Sequence, residues 1–264
     1  MVGENGTMNS PVVLEVCADS VDSAIAAQQG GAHRIELCSG LVEGGVTPSA
    51  GLISTVRSKL SIPICVMVRP RGGDFCYGAD DFESMEQDVL TAKQLGANGV
   101  VFGILTEDGR IDVERTRRLV GIALPLEVTF HRAFDMSRDL KESLEAVIAS
   151  GVNRLLTSGG EQRVEQGLAE VKCLNEAAAG RIAIMAGGGI TESNVHRVMT
   201  QTGVHELHAS AAGPVASPMR HRNEKISMGA VKGREYQRSV VLQESVRRLL
   251  DAAANGSRES AKAR

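Results

Sequence analysis

The stretch VVLEVCADSVDSAIAAQQGGAHRIELC (12–38) reads as strand, helix, strand. VVLEVCA (12–18) is a short apolar run of strand length, Asp19 or Ser20 caps a helix that closes at the Gly30–Gly31 pair, and RIELC (34–38) opens the next strand. Side chains alternate along a strand, so Glu15 and Cys17 share one face, as do Glu36 and Cys38. In neighbouring strands of a parallel barrel both pairs point inward, toward the end where such barrels keep their chemistry. Carboxylates and thiols are costly to bury and need partners there.

The same alternation continues outward from this unit. Further apolar runs occur at PICVMVR (63–69), GVVFGIL (99–105), LEVTFHR (126–132), RLLTS (154–158), RIAIMA (181–186) and HELHAS (205–210). Helical patterns separate them: Thr47–Pro48 reads as cap and first residue of one, and residues 80–97 carry acids early and Gly96 at the stop. Eight strands alternating with helices predict an α/β fold, a single TIM-type (β/α)8 barrel over residues 11–254, with disordered ends at 1–10 and 255–264. A Gly/Ser/Pro/Arg-rich connection from Ala211 to Ser239 precedes the last helix; connections that long serve as lids, binding loops or oligomer contacts.

Composition narrows the function. In 264 residues the net charge is −3, aromatics are 3% and Trp is absent, which argues against a nucleic-acid surface. No run is apolar enough for a membrane span, and the five cysteines lie mostly in strand-like runs, as expected in a reducing, cytoplasmic setting. No lysine falls in an expected strand, which sets aside Schiff-base aldolase chemistry.

The strand C-termini and following loops gather Glu15, Glu36, Arg69, His131, Asp135 and His208 as candidate acid–base groups. The strand interiors otherwise read as apolar, and Arg69 is expected to pair with Glu15 or Glu36. Cys17 and Cys38 are candidate ligands for a soft metal, with Met67 a soft neighbour; zinc would want a CxxC or HxH pair that is missing. Gly187, Gly188 and Gly189, with Ser210 in the next loop, read as an anion-binding turn at the position where this fold holds phosphate. Neither GxGxxG nor GxxxxGK[ST] spacing is present.

Together LEVCADSVDSA (14–24), RIELCSGLVEGGVTPS (34–49), VMVRPRGGDF (66–75), VFGILTEDGRID (101–112), VTFHRAFD (128–135), LLTSGG (155–160), MAGGGIT (185–191) and MGA (228–230) resemble the CutC family of copper homeostasis proteins, over about residues 12–240. The resemblance implies a TIM-type barrel, a cytoplasmic location, a homo-oligomer (dimer or tetramer), and Cu(I) bound at Cys17 and Cys38. The eighth loop, ELHASAAGP (206–214), lacks the extra cysteine and arginine that some members carry. Two functions are therefore expected. One is copper homeostasis through Cu(I) binding in the barrel mouth; the alternative is an enzyme working by acid–base chemistry on a small anionic or phosphorylated metabolite, with an indirect copper phenotype.

Overall fold

Eight short parallel strands follow one another in chain order around a closed barrel in the computed structural model, which describes residues 11–228 and 233–262. They are β1 (Val13–Ala18), β2 (Arg34–Leu37), β3 (Ile64–Met67), β4 (Gly99–Phe102), β5 (Glu127–Phe130), β6 (Arg154–Thr157), β7 (Ala183–Ala186) and β8 (Glu206–Ala209). β8 closes on β1, with Glu206 opposite Val13 and His208 opposite Glu15. The helices are α1 (Val21–Gln29), α2 (Ala50–Arg57), α3 (Ala79–Gln94), α4 (Val113–Ala123), α5 (Leu140–Ala149), α6 (Leu168–Ala178), α7 (Val195–Thr202) and α8 (Gln243–Lys262). This is the TIM-type barrel expected from the alternation of runs.

Alternation along each strand sorts the side chains into two cores. Leu14, Val16, Ile35, Leu37, Val100 and Phe102 belong to the main core, with buried helix residues such as Ala24, Ile53 and Met85. Cys17, Cys38, Cys65, Met67 and Val101 form a separate cluster on the other face of the sheet. Cys17 lies opposite Glu36, and Glu15 opposite Arg34, so all four share the inner face.

That inner face is not apolar, contrary to the expectation. At the N-terminal end of the strands Arg34 pairs with both Glu15 and Glu206, and Arg154 bridges Glu206 and Glu127. Arg34 and Arg154 are each under a tenth exposed. Burial at that depth requires partners, and the carboxylates supply them.

Helix starts follow local chemistry. Asp112 and Asp139 cap α4 and α5, accepting from amides of the first turn. α2 differs from the expectation: Ser49, not Thr47, caps it, accepting from the amide of Leu52. The Thr47 hydroxyl instead accepts the Arg69 amide, tying the second βα loop to the end of β3.

The long connection before α8 contains two strands that its composition hides. β9 (Ala212–Ala216) and β10 (Gln237–Val241) form an antiparallel pair. Arg238 of β10 pairs with Asp22, and the Val241 amide donates to Ser23, anchoring the pair on α1. Residues 1–10 and most of the MGA motif (228–230) lie outside the described residues. The segment 255–264, expected as a disordered tail, overlaps α8, whose bounds run to Lys262.

Candidate functional site

At the C-terminal end of the barrel the strands open on a cavity of about 400 Å³. Cys17, Glu36, Met67, Arg69, His131 and His208 line it from the strand ends; Arg132, Gly188, Gly189, Ile190 and Ser210 line it from loops. Of the expected site residues, Glu15 lies one layer deeper, Cys38 is packed behind Cys17, and Gly187 and Asp135 do not line the cavity.

The centre of the site is a chain of titratable groups. His208 Nδ1 lies 2.8 Å from Glu15 Oε1, and its Nε2 lies 3.8 Å from Glu36 Oε2. Donor atoms of Cys17, Glu36 and His208 all fall within 4.8 Å of one another. Cys17 Sγ is 3.5 Å from Cys38 Sγ. Gly45 packs beside Cys38, since a methyl group there would sit 3.6 Å from both Cys38 Sγ and Met67 Cε.

Charge and burial divide these groups. Burial pushes the Glu15 carboxyl up, yet the His208 hydrogen bond and the Arg34 charge pull its pKa down to about 2. Glu36 moves the other way, raised by burial and by the Glu15 charge despite the attraction of His208. Burial alone would lower His208, but the carboxylates of Glu36 and Glu15 outweigh it and raise its pKa. The hydrogen bond to Cys38, burial and the Glu36 carboxylate raise the Cys17 thiol well above its ordinary value. Burial and the neighbouring Arg69 charge depress His131 to about 3, so its imidazole is neutral near pH 7.

Among the described residues, three buried polar atoms of cavity-lining side chains have no hydrogen-bond partner: Glu36 Oε1, His131 Nε2 and Arg69 Nε. Unsatisfied buried groups are uncommon, and these three belong to side chains that line one cavity.

Arg69 does not pair with Glu15 or Glu36, as had been expected. Its guanidinium donates to the carbonyls of Glu43, Gly45 and Gly73, and so fixes the loops after β2 and β3. Asp135 is also a holding group. Its carboxylate accepts from Thr157 Oγ1, from the amides and hydroxyl of Ser158 and Gly160, and from Arg132 Nε. Gly187 is committed to the sheet, its amide donating to the Thr157 carbonyl.

Sequence reasoning missed Arg34, and read Arg132 as a strand-end residue without giving it a role. Arg34 lies two residues before Glu36, so strand alternation already placed it on the inner face. The place of Arg132 after β5 was legible, but its approach to the cavity depends on Asp135 holding it across the loop.

Fold and geometry define an α/β barrel protein with a thiol, carboxylate and imidazole cluster at the barrel mouth. The profile of the CutC family matches residues 12–213, and the chain belongs to the CutC family. The chain is 48% identical over 254 residues to the human "Copper homeostasis protein cutC homolog", covering 96% of this chain and 93% of that one. It is 49% identical over 228 residues to the mouse protein of the same name, covering 86% of this chain and 84% of that one. Among solved structures, a CutC protein from Streptococcus agalactiae superposes with TM-score 0.72 at 35% identity, covering 75% of this chain and 98% of that one.

Proposed function

We propose that this chain serves copper homeostasis by binding Cu(I) in the barrel mouth, with Cys17 and Cys38 as its ligands. The observation that carries the proposal is the contact between two inward-facing thiols, 3.5 Å apart, one of them lining the cavity. Thiolates and thioethers are the donors that select Cu(I), and the Met67 thioether side chain shares the same cluster. The names of the human and mouse relatives support the same reading. Among the described residues no helix is long and apolar enough to cross a membrane. The expected dimer or tetramer stays part of the proposal, to be read from the mass of the chain in solution.

Binding through Cys17 must displace a proton, because Cys38, burial and Glu36 hold its thiol protonated at neutral pH. Glu36 and His208 stand within reach to receive it. A raised thiol pKa means the thiolate fraction keeps growing as pH rises through neutrality. Apparent Cu(I) affinity is therefore expected to rise about tenfold per pH unit for each proton released. An anaerobic titration against a competing chelator at several pH values measures this directly. Affinity independent of pH would place the metal on groups already deprotonated and remove Cys17 from the ligand set.

A second reading is favoured by the orphaned polar atoms. Two thiols suffice for Cu(I), whereas Glu36 Oε1 and His131 Nε2 have no hydrogen-bond partner among the described residues. Glu15 fixes His208 through Nδ1 and leaves Nε2 toward Glu36, the arrangement of an oriented acid–base group beside a second carboxyl. Under this reading the mouth also acts on a small anionic metabolite.

A further inference from the structure

We propose that the mouth carries a phosphate anchor built from Arg132, the amides of Gly188, Gly189 and Ile190, and the Ser210 hydroxyl, and that its ligand is a small phosphorylated metabolite. The proposal deepens the metabolite reading and is independent of the copper ligands.

Arg132 is held but not saturated. Its Nε donates to Asp135 Oδ2 at 2.7 Å, and Nη2 donates to Ser158 Oγ and the Glu161 carbonyl. Among the described residues Nη1 has no partner, and a methyl group at Gly188 would sit 3.3 Å from it. Asp135 in turn is 6% exposed in its side chain and pinned by Thr157, Ser158 and Gly160. The free edge of the guanidinium is thus presented beside the glycine turn by a rigid support.

The turn supplies the remaining donors. Gly188 and Gly189 have φ of +97° and +85°, a conformation side-chain-bearing residues rarely adopt. Their carbonyls are occupied, Gly188 accepting from the Val164 amide and Gly189 from Asn194 Nδ2. The amides of Gly188, Gly189 and Ile190 donate to no group among the described residues. Consecutive free amides in such a turn form an anion-binding concavity. Exposed Ser210 lines the same cavity and makes no hydrogen bond among the described residues.

The donor count selects the ligand. Three amides, one guanidinium edge and one hydroxyl exceed what two carboxylate oxygens accept, and suit the three terminal oxygens of a phosphate monoester. Glu36, His131 and Arg69 line the rest of the same cavity of about 400 Å³ and give the body of the molecule polar surroundings. Neither GxGxxG nor GxxxxGK[ST] spacing accompanies this turn, so it is not a Rossmann or P-loop phosphate cradle.

The test is amide and imidazole NMR of the full chain, with two probes. Inorganic phosphate is expected to shift the amides of Gly188, Gly189 and Ile190 saturably, and Arg132→Gln to weaken it about tenfold, the loss of one charge-assisted hydrogen bond. Ser210→Ala, at an exposed position that leaves folding intact, is expected to weaken phosphate about threefold, while Arg181→Ala, at an exposed ion pair with Glu145 ahead of β7, leaves it unchanged. Absent shifts, or shifts unaltered in both Arg132→Gln and Ser210→Ala, overturn the anchor. Dihydroxyacetone, a neutral hydroxycarbonyl, then separates the two ideas. If it shifts the His131 and His208 imidazoles while phosphate binds nowhere, the anchor falls and the metabolite reading stands; if it too does nothing, both fall.

Discussion

Replacing Arg34 by alanine is expected to destabilise the chain by about 3–5 kcal/mol, the penalty for stranding a buried charge. Arg34 is 7% exposed and reaches two carboxylates, Glu15 at 0% exposure and Glu206. Its loss leaves Glu15 ionised in the barrel interior with His208 as its remaining partner. Against a total stability of about 5–15 kcal/mol the effect is large, and chemical denaturation reads it directly. Arg238→Ala is the control, because its pair with Asp22 is more than half exposed on both sides and is worth well under about 1 kcal/mol.

The same variant has a signature in acid. Glu15 is depressed to about 2 by His208 and Arg34, against the pull of burial. A carboxylate with a lowered folded pKa stabilises the protein above its unfolded pKa, and that stability is lost as pH falls toward the folded value. The wild-type chain should therefore lose this contribution between the ordinary carboxylate pKa and about 2. In Arg34→Ala the acid limb should move to higher pH. A parallel offset, with the shape of the pH profile unchanged, would mean that Arg34 acts by packing alone.

Cys17→Ser and Cys38→Ser are each expected to weaken Cu(I) binding by more than about a hundredfold, beyond the 10–100-fold that loss of a mere supporting partner costs a metal site. Serine is a hard oxygen donor of nearly the same size, so the barrel keeps its packing while Cu(I) loses half its soft ligands. Equal losses in both variants are expected because the two sulfurs lie 3.5 Å apart on adjoining strand ends. Cys65→Ser is the comparison. Its thiol lies deeper in the barrel and, among the described residues, bonds to neither sulfur of the Cys17–Cys38 pair, so its loss should leave copper affinity within a few-fold. Chelator competition on the three variants reads the contrast; similar losses at Cys65 and Cys17 would mean general damage to the cluster.

The barrel was legible in the sequence because its outer faces are uniform. Runs such as VVLEVCA and GVVFGIL carry Leu14, Val16, Val100 and Phe102 at alternate positions, all fully buried against the helices. The inner faces carry the titratable side chains and obey the same alternation, so the placement of Cys17 and Glu36 at the cavity followed from spacing alone. Arg34 and Arg154 open their strands, where a charged residue reads as a solvated end rather than a buried one. Arg69 was legible as a mouth residue but not by its partners, because backbone carbonyls of a distant loop leave no mark in the sequence. β9 and β10 were hidden for a related reason. Their pairing joins Ala212–Ala216 to Gln237–Val241 across a long intervening loop, and Gly213 and Pro214 argue locally against a strand.

A Cu(I) ion held between the two sulfurs of the barrel mouth, as we propose, scatters anomalously. The most direct measurement is anomalous diffraction at the copper edge from crystals of the chain loaded anaerobically with Cu(I). The expected result is a single strong peak within bonding distance of both Cys17 Sγ and Cys38 Sγ, beside Glu36 and His208. A peak on surface methionine or histidine, or copper bound with both thiols untouched, would contradict it and leave the mouth to the metabolite.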